Sequence, residues 1–187
     1  MIAGPSGVGK GTIVRHLLDR LPRLRVSVSA TTRPPRSSER DGVDYSFVSD
    51  DAFSRMAREG GLLEWAEVFG HRYGTPVRPV QEALAAGHDV VLEIDVQGAF
   101  QVREKMPSAV LILLEPPSMA ELERRLRTRA TEDEQRLAER LATTGWELDQ
   151  RAWFDHTVVN DDLEGAVDRL VAIIEGFPPP SEGSTYP

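Results

Sequence analysis

The sequence contains no cysteine and no long apolar run. Without cysteine the chain has no disulfide framework and no thiolate metal site. No stretch approaches the roughly 20 apolar residues of a membrane-spanning helix, and the first residues lack the charged and apolar regions of a signal peptide. We therefore expect a cytoplasmic protein without a membrane partner.

Positive charge is also scarce, because 22 Lys and Arg residues stand against 30 Asp and Glu residues and leave a net charge of −8. A protein that binds a nucleic-acid duplex normally neutralises its phosphates with a basic face. The charge balance argues against such a partner, so any recognition of phosphate must be local. A chain of 187 residues with 40% hydrophobic residues can bury one core and carry small insertions.

The most informative motif is GPSGVGKGT at residues 4–12, which we call the phosphate loop. In loops of this pattern, glycines let successive backbone amides point at phosphate oxygens, and the helix that follows adds its positive N-terminal end. Lys10 is expected to reach the β- and γ-phosphates. The sequence therefore predicts a nucleoside triphosphate site formed by Gly4, Pro5, Ser6, Gly7, Val8, Gly9, Lys10, Gly11 and Thr12.

Two features of the phosphate loop depart from the general pattern. The residue after Lys10 is Gly11, where a Ser or Thr hydroxyl usually binds Mg²⁺. Thr12 is the nearest substitute, and we expect it to contact the metal through water. Only three residues precede the loop, whereas a full strand normally does, so the chain looks truncated at its start.

The spacing of apolar residues predicts alternating helices and strands. An amphipathic helix is expected directly after the loop, closed by Pro22. Short apolar runs at residues 89–95 and 109–114, with a weaker one at 157–159, are typical of buried parallel strands. Helical patterns occupy residues 77–86, 118–129 and 163–174, and Ser118 with Glu121 forms a capping box. This alternation predicts a parallel sheet.

Two polar, arginine-rich stretches interrupt the alternation. We interpret them as an insertion at residues 29–75, with a strand near 44–48 and a helix near 51–59, and as a charged helical lid at 124–144. The remaining residues, 1–28, 76–123 and 145–175, are predicted to form a three-layer α/β core with a parallel sheet. Residues 176–187 have the composition of a disordered tail.

Four further blocks make a family resemblance specific: SVSATTRPPR at residues 27–36, RDGVDYSFV at 40–48, LLEWAEVFGHRYGTP at 62–76 and LEIDVQGA at 92–99. Together with the phosphate loop, they resemble bacterial guanylate kinases over the chain up to about residue 175. The resemblance implies a P-loop fold, a GMP-binding insertion and a mobile lid. It also implies the reaction ATP + GMP → ADP + GDP with Mg²⁺.

The residues expected to bind GMP, the phosphoryl acceptor, are also chemically suited to it. Guanine presents N1–H and N2–H₂ as donors and O6 as an acceptor, so a selective pocket needs carboxylates on one edge and a donor on the other. Glu64 and Asp95 fit the first role, and Ser29 and Thr75 the second. For the GMP phosphate, the resemblance implies cationic and neutral donors from Arg33, Arg36, Tyr45 and Tyr73.

In the lid, the resemblance implies that Arg125, Arg129 and Arg140 stabilise charge on the transferring phosphoryl group. The residues alone indicate a solvated helix with ion pairs one turn apart, and this interpretation stays in place for Arg124, Arg127 and Arg136. The chain also has Ala130 where the family commonly has glycine, so we expect the lid to bend differently.

Two polar residues near predicted strand ends complete the candidates. Glu93 ends a buried strand and is expected to orient the water shell of the metal, although a carboxylate that caps a strand end is the alternative. Asn160 matches the family segment beside the adenine of ATP, although Asn160-Asp161-Asp162 before a helix is also an ordinary cap.

We expect in-line phosphoryl transfer by positioning and charge stabilisation, without a covalent intermediate. Two alternatives stay open. One is a kinase for another phosphorylated acceptor, such as adenylate or a ribose phosphate. The other is a related module that binds protein partners, although such modules lose the phosphate loop. The oligomeric state is left open.

Overall fold

The structure is a computed structural model that describes residues 1–129 and 134–176. These residues form two compact units. The first contains Met1–Leu24, Glu93–Val96 and the described residues from 110 onward. The second contains Arg25–Leu92 and Gln97–Ala109. Ala130 and residues 177–187 of the predicted tail lie outside the described residues.

The strands, in chain order, are β1 (Ile2–Ala3), β2 (Leu24–Val26), β3 (Ala30–Thr31), β4 (Ser46–Phe47), β5 (Leu62–Val68), β6 (His71–Pro76), β7 (Asp89–Val91), β8 (Glu93–Ile94), β9 (Ile112–Glu115) and β10 (His156–Val159). The helices are α1 (Lys10–Arg20), α2 (Asp50–Arg58), α3 (Val77–Ala85), α4 (Val96–Lys105), α5 (Met119–Arg129), α6 (Glu134–Asp149) and α7 (Leu163–Glu175). A short 3₁₀ helix at Gln150–Trp153 follows α6.

The first unit is built on a parallel sheet in the order β10, β9, β1, β8. Although β1 has only two residues, it pairs on both sides, with Ile2 opposite Glu93 of β8 and Ile112 of β9. Every residue of β9 is buried, as expected of a parallel strand covered on both faces. Helices α1 and α7 pack against each other. The phosphate loop therefore leaves a central, buried strand.

The second unit is built on a mixed sheet in the order β4, β3, β6, β5. Strands β5 and β6 form a hairpin whose turn residues, Phe69 and Gly70, both have a positive φ (52° and 77°). A two-residue type I′ turn requires this conformation at both positions. Buried Phe53 of α2 packs in one cluster with Ala30 and Leu62, so the helix covers the sheet.

The predicted α/β fold class and its parallel sheet are confirmed. The helical patterns correspond to α3, α5 and α7, and the Ser118 hydroxyl accepts a hydrogen bond from the Glu121 amide at 3.1 Å. Within the described residues, no helix has the length and apolar character needed to span a membrane.

Three elements differ from the sequence prediction. The run at residues 89–95 is not one strand, because β7 pairs with β2 whereas β8 pairs with β1 in another sheet. The hairpin of β5 and β6 was not predicted. Helix α4 was not predicted either, although its fully buried residues Val96, Ala99 and Val102 have helical spacing.

Candidate active site

The phosphate loop is shaped by glycines that no other residue could replace without strain. Gly4 and Gly9 have φ values of 147° and 105°. A Cβ atom at Gly4 would collide with the Leu114 carbonyl oxygen of β9, and one at Gly9 would lie 2.6 Å from Nδ2 of Asn160. The backbone therefore approaches its neighbours closely, which fixes the direction of the loop amides.

Lys10 begins α1 and folds back over the phosphate loop. Its ammonium group donates hydrogen bonds to the carbonyl oxygens of Gly4 and, at 3.3 Å, of Pro5. The cation therefore lies against the backbone of the loop that the sequence predicts to bind phosphate. A helix N-terminus beside a lysine is a favourable place for an anion.

Two predicted residues from distant parts of the chain support the loop. Nδ2 of the buried Asn160 donates to the Val8 carbonyl oxygen at 2.7 Å. Arg125 of α5 donates to the same oxygen at 3.4 Å and to the Asn160 carbonyl oxygen at 3.2 Å. These contacts tie the Val8 carbonyl of the loop to α5 and to the end of β10.

The arginines of the predicted lid divide into two groups. Nη1 of Arg140, on α6, lies 3.4 Å from the Ser6 hydroxyl and so faces the phosphate loop. Arg124 and Arg127 instead form ion pairs within α5, to Glu121 and Glu123 respectively. Hydrogen bonds from Arg124 and then Arg125 lower the pKa of Glu121 to about 2, so this carboxylate stays ionised. The side chains of Arg129 and Arg136 lie outside the described part.

The residues proposed for the metal are few but suitable. A Cβ atom at Gly11 would lie 3.4 and 3.5 Å from the carboxylate oxygens of Glu93, so this carboxylate lies beside the first turn of α1. In the described part of the chain, no group of three or more His, Asp or Glu residues could hold a metal ion. Mg²⁺ usually keeps several waters and binds nucleotide phosphates, so one carboxylate and one hydroxyl fit it.

In the second unit, two residues predicted for guanine lie together. Glu64 of β5 is opposite Thr75 of β6, and the Thr75 hydroxyl donates to Oε1 of Glu64 at 2.6 Å. Both residues are buried, so the carboxylate is enclosed in the protein. Ser29 lies just before β3, and its carbonyl oxygen accepts a hydrogen bond from the Ser46 amide. Asp95 belongs to the first unit.

The residues predicted for the GMP phosphate are Arg33, Arg36, Tyr45 and Tyr73. Together with Glu39 they form what we call the arginine cluster. Nε of Arg33 donates to the Tyr73 hydroxyl at 3.2 Å, and its guanidinium lies 5.5 Å from the centre of the Tyr45 ring. The rings of Tyr45 and Tyr73 are 6.0 Å apart. Glu39 was not predicted, yet its carboxylate accepts a hydrogen bond from Arg33 at 2.8 Å.

Comparison with known proteins identifies the family of this chain. A family model described as guanylate kinase matches residues 1–176. The guanylate kinase of Synechococcus sp. (strain CC9902) is 52% identical over 170 residues, which cover 91% of each chain. That of Mycobacterium sp. (strain MCS) is 51% identical over 178 residues, or 94% of this chain and 90% of the relative. The chain belongs to the guanylate kinase family.

A solved structure agrees with this assignment. The crystal structure of guanylate kinase from Anaplasma phagocytophilum superimposes with a TM-score of 0.77 at 35% identity, covering 94% of this chain and 84% of that one. The predicted guanylate kinase family and the predicted class of nucleotide-binding kinase are confirmed. Neither the adenylate or ribose phosphate alternative nor the protein-binding alternative receives support from these relatives.

In this member of the guanylate kinase family, α6 also carries Glu147, a residue that the sequence did not single out. The residue is buried, with 7% of its surface exposed. Burial raises the pKa of Glu147 to about 7, and the negative charge of Asp95 adds to this, whereas Lys10 and a hydrogen bond from the Val96 amide lower it. The sequence carries no signal for its burial, because that burial, like the burial of Thr144 one turn earlier, depends on tertiary packing.

Proposed function

We propose that this chain transfers the γ-phosphoryl group of ATP to GMP and so produces ADP and GDP, as an enzyme of purine nucleotide metabolism in the cytoplasm. The observation that carries this proposal is the buried pair of Glu64 and Thr75 in a chain that also has a phosphate loop. A carboxylate enclosed in this way selects a base with adjacent N–H donors, which guanine has and adenine lacks.

On the donor side, the amides of the phosphate loop and the ammonium group of Lys10 bind the β- and γ-phosphates of ATP. Arg125, Arg129 and Arg140 stabilise the charge of the transferring group, and Asn160 supports the loop beside the nucleotide. Thr12 and Glu93 would hold Mg²⁺ through water, and the bound ion would neutralise charge on the phosphates. Residues 124–144 act as the lid.

On the acceptor side, within the proposed insertion at residues 29–75, Glu64 accepts hydrogen bonds from the guanine edge that carries N1–H and N2–H₂. Asp95, from the core, is the second acceptor. Because the Thr75 hydroxyl already donates to Glu64, we assign Ser29 as the donor to O6 and Thr75 as the group that orients Glu64. Arg33, Arg36, Tyr45 and Tyr73 bind the phosphate of GMP.

The reaction needs no protein nucleophile and no strong general base. A phosphate monoester is already a competent nucleophile near neutral pH, so the residues above act by positioning and by electrostatic stabilisation. Catalysis is therefore expected to depend on cations at the donor phosphates and on the alignment of the acceptor phosphate.

A coupled assay with ATP and GMP, AMP, CMP or UMP tests the proposal. We expect kcat/KM for GMP to exceed that for AMP by about 10⁴-fold, because adenine would leave a buried carboxylate without its donors. Comparable turnover of AMP and GMP would contradict the proposal.

A pair of matched variants of β5 ties this preference to one residue. Glu64→Gln should raise KM for GMP about 30-fold. A neutral amide accepts hydrogen bonds from the two guanine donors more weakly than a charged carboxylate does. Glu67→Gln changes an exposed residue of the same strand and should leave KM within about twofold. Equal effects of the two variants on KM for GMP would mean that Glu64 does not bind guanine.

A further inference from the structure

Glu39 bridges the two arginines of the arginine cluster. Its Oε1 accepts a hydrogen bond from Nη2 of Arg33 at 2.8 Å and lies 3.7 Å from Nη1 of Arg36. Its Oε2 accepts a hydrogen bond from the backbone amide of Arg36 at 2.8 Å. The side chains of Arg33 and Glu39 are only 13% and 12% exposed. One carboxylate therefore fixes a guanidinium and the backbone of a second arginine.

The carboxylate of Glu39 is ionised at neutral pH. Burial alone would raise the pKa of Glu39, but the hydrogen bonds from Arg33 and from the Arg36 amide outweigh burial and lower the pKa below its ordinary value. Two arginines and one carboxylate leave the cluster with a net positive charge. The cluster therefore still attracts an anion, while Glu39 reduces the repulsion between its cations.

The number of donors on Arg33 allows it to bind a phosphate and Glu39 at the same time. A guanidinium has five N–H donors. Among the residues that the structure describes, three of these have acceptors, namely the Tyr73 hydroxyl, the Pro34 carbonyl oxygen and Glu39. The two others can bind phosphate oxygens without displacing the carboxylate. This arrangement favours a supporting role for Glu39 over competition with the phosphate.

We propose that Glu39 is a positioning residue for the acceptor phosphate, because it holds Arg33 and Arg36 in the geometry that binds the phosphate of GMP. The inference rests on the proposed function and adds to it a residue that does not itself touch the substrate. A long arginine side chain loses rotamer freedom when it binds a ligand. An arginine that is already fixed in the free protein loses less, and so binds more tightly.

The test compares Glu39→Ala with Glu39→Gln in the full chain, and with Glu59→Ala as a control at an exposed position of the same unit. For Glu39→Ala we expect KM for GMP to rise about tenfold, with KM for ATP and kcat within about twofold. Glu39→Gln keeps an acceptor for Arg33 but presents an NH₂ group to the Arg36 amide, so a rise of about threefold is expected. Glu59→Ala should behave as the unmodified chain.

Guanosine, which lacks the phosphate, separates positioning from general damage. Its inhibition constant against GMP should be the same for Glu39→Ala and the unmodified chain. A double-mutant cycle with Arg33→Ala adds a second readout, since Glu39→Ala should raise KM by less than about threefold in that background. An unchanged or lower KM for GMP in Glu39→Ala, or an equal loss of guanosine binding, would overturn the inference.

The two proposals fail in different ways. If the unmodified chain does not phosphorylate GMP, the proposed function is wrong. If the unmodified chain phosphorylates GMP but the Glu39 variants keep its KM, the role of Glu39 alone is wrong. Calorimetric titration of GMP into both variants supplies the affinities directly, and an affinity unchanged by Glu39→Ala would likewise overturn the inference.

Discussion

In the phosphate loop, the groups proposed to face phosphate are backbone amides and one lysine, whereas in the arginine cluster they are all side chains. The loop depends on close approach of the backbone, as Gly4 beside Leu114 and Gly9 beside Asn160 demonstrate. The cluster depends on charge, on hydrogen bonds and on the packing of Arg33 against Tyr45. Both regions are suited to bind phosphate, the loop through its backbone and the cluster through its side chains.

This difference predicts different responses to substitution. A backbone site is sensitive to any added volume but carries little of its function in the identity of most side chains. A side-chain site tolerates local changes of volume, but it loses binding when one charge or one hydrogen bond is removed. Variants of each region should therefore separate losses of folding from losses of substrate affinity.

The largest effect is expected for Lys10→Ala, which removes the one side-chain cation of the phosphate loop. We expect kcat to fall by about 10³-fold or more, because the charge that stabilises the transferring phosphoryl group is lost. The affinity for GMP, measured by calorimetry, should change little, since the arginine cluster is intact. An unchanged kcat would mean that the loop is not the catalytic donor site.

Gly4→Ala tests the backbone character of the loop through stability. The added methyl group would collide with the Leu114 carbonyl oxygen, and φ at this position is 147°. Strain and overpacking together should lower the free energy of unfolding by about 4 kcal/mol. The matched control is Gly42→Ala, at φ 72° with no atom within 4 Å, which should cost about 1 kcal/mol. Equal losses in urea denaturation would contradict this account of the loop.

Glu147→Gln should stabilise the chain in a manner that depends on pH. The folded pKa of about 7 exceeds the ordinary value of 4.5. Between these values the folded state holds more protons than the unfolded state, so the contribution of Glu147 is present at low pH and is lost as the pH rises through 7. The variant removes this loss, and its advantage should grow by about 2.5 kcal/mol between pH 5 and pH 8.

Denaturation at both pH values measures this advantage. Asp149→Asn removes an acidic group from the exposed end of the same helix and should give no comparable dependence on pH. A constant difference between Glu147→Gln and the unmodified chain would mean that Glu147 titrates normally.

The same contrast explains what the sequence could predict. The phosphate loop and α1 are local, because their residues are contiguous and their glycines mark special backbone conformations. The pairing of Glu64 with Thr75 depends on the register of a hairpin, which the sequence pattern did not reveal. Glu39 and Glu147 were missed because their roles come from partners and burial, which depend on tertiary packing. The prediction of one strand at residues 89–95 was wrong because this apolar segment contributes β7 and β8 to two different sheets.

Gly11→Ser should give the smallest effect and addresses the unusual residue of the loop. A Cβ atom here would be in ordinary contact with the Glu93 oxygens, at 3.4 and 3.5 Å. Serine should therefore fit and add a few tenths of a kcal/mol to helix stability. If Thr12 and Glu93 already hold the metal through water, the new hydroxyl should change kcat and the Mg²⁺ concentration for half-maximal rate by less than about threefold. A tenfold rise in kcat would mean instead that the glycine deprives the loop of a metal ligand that its backbone cannot replace.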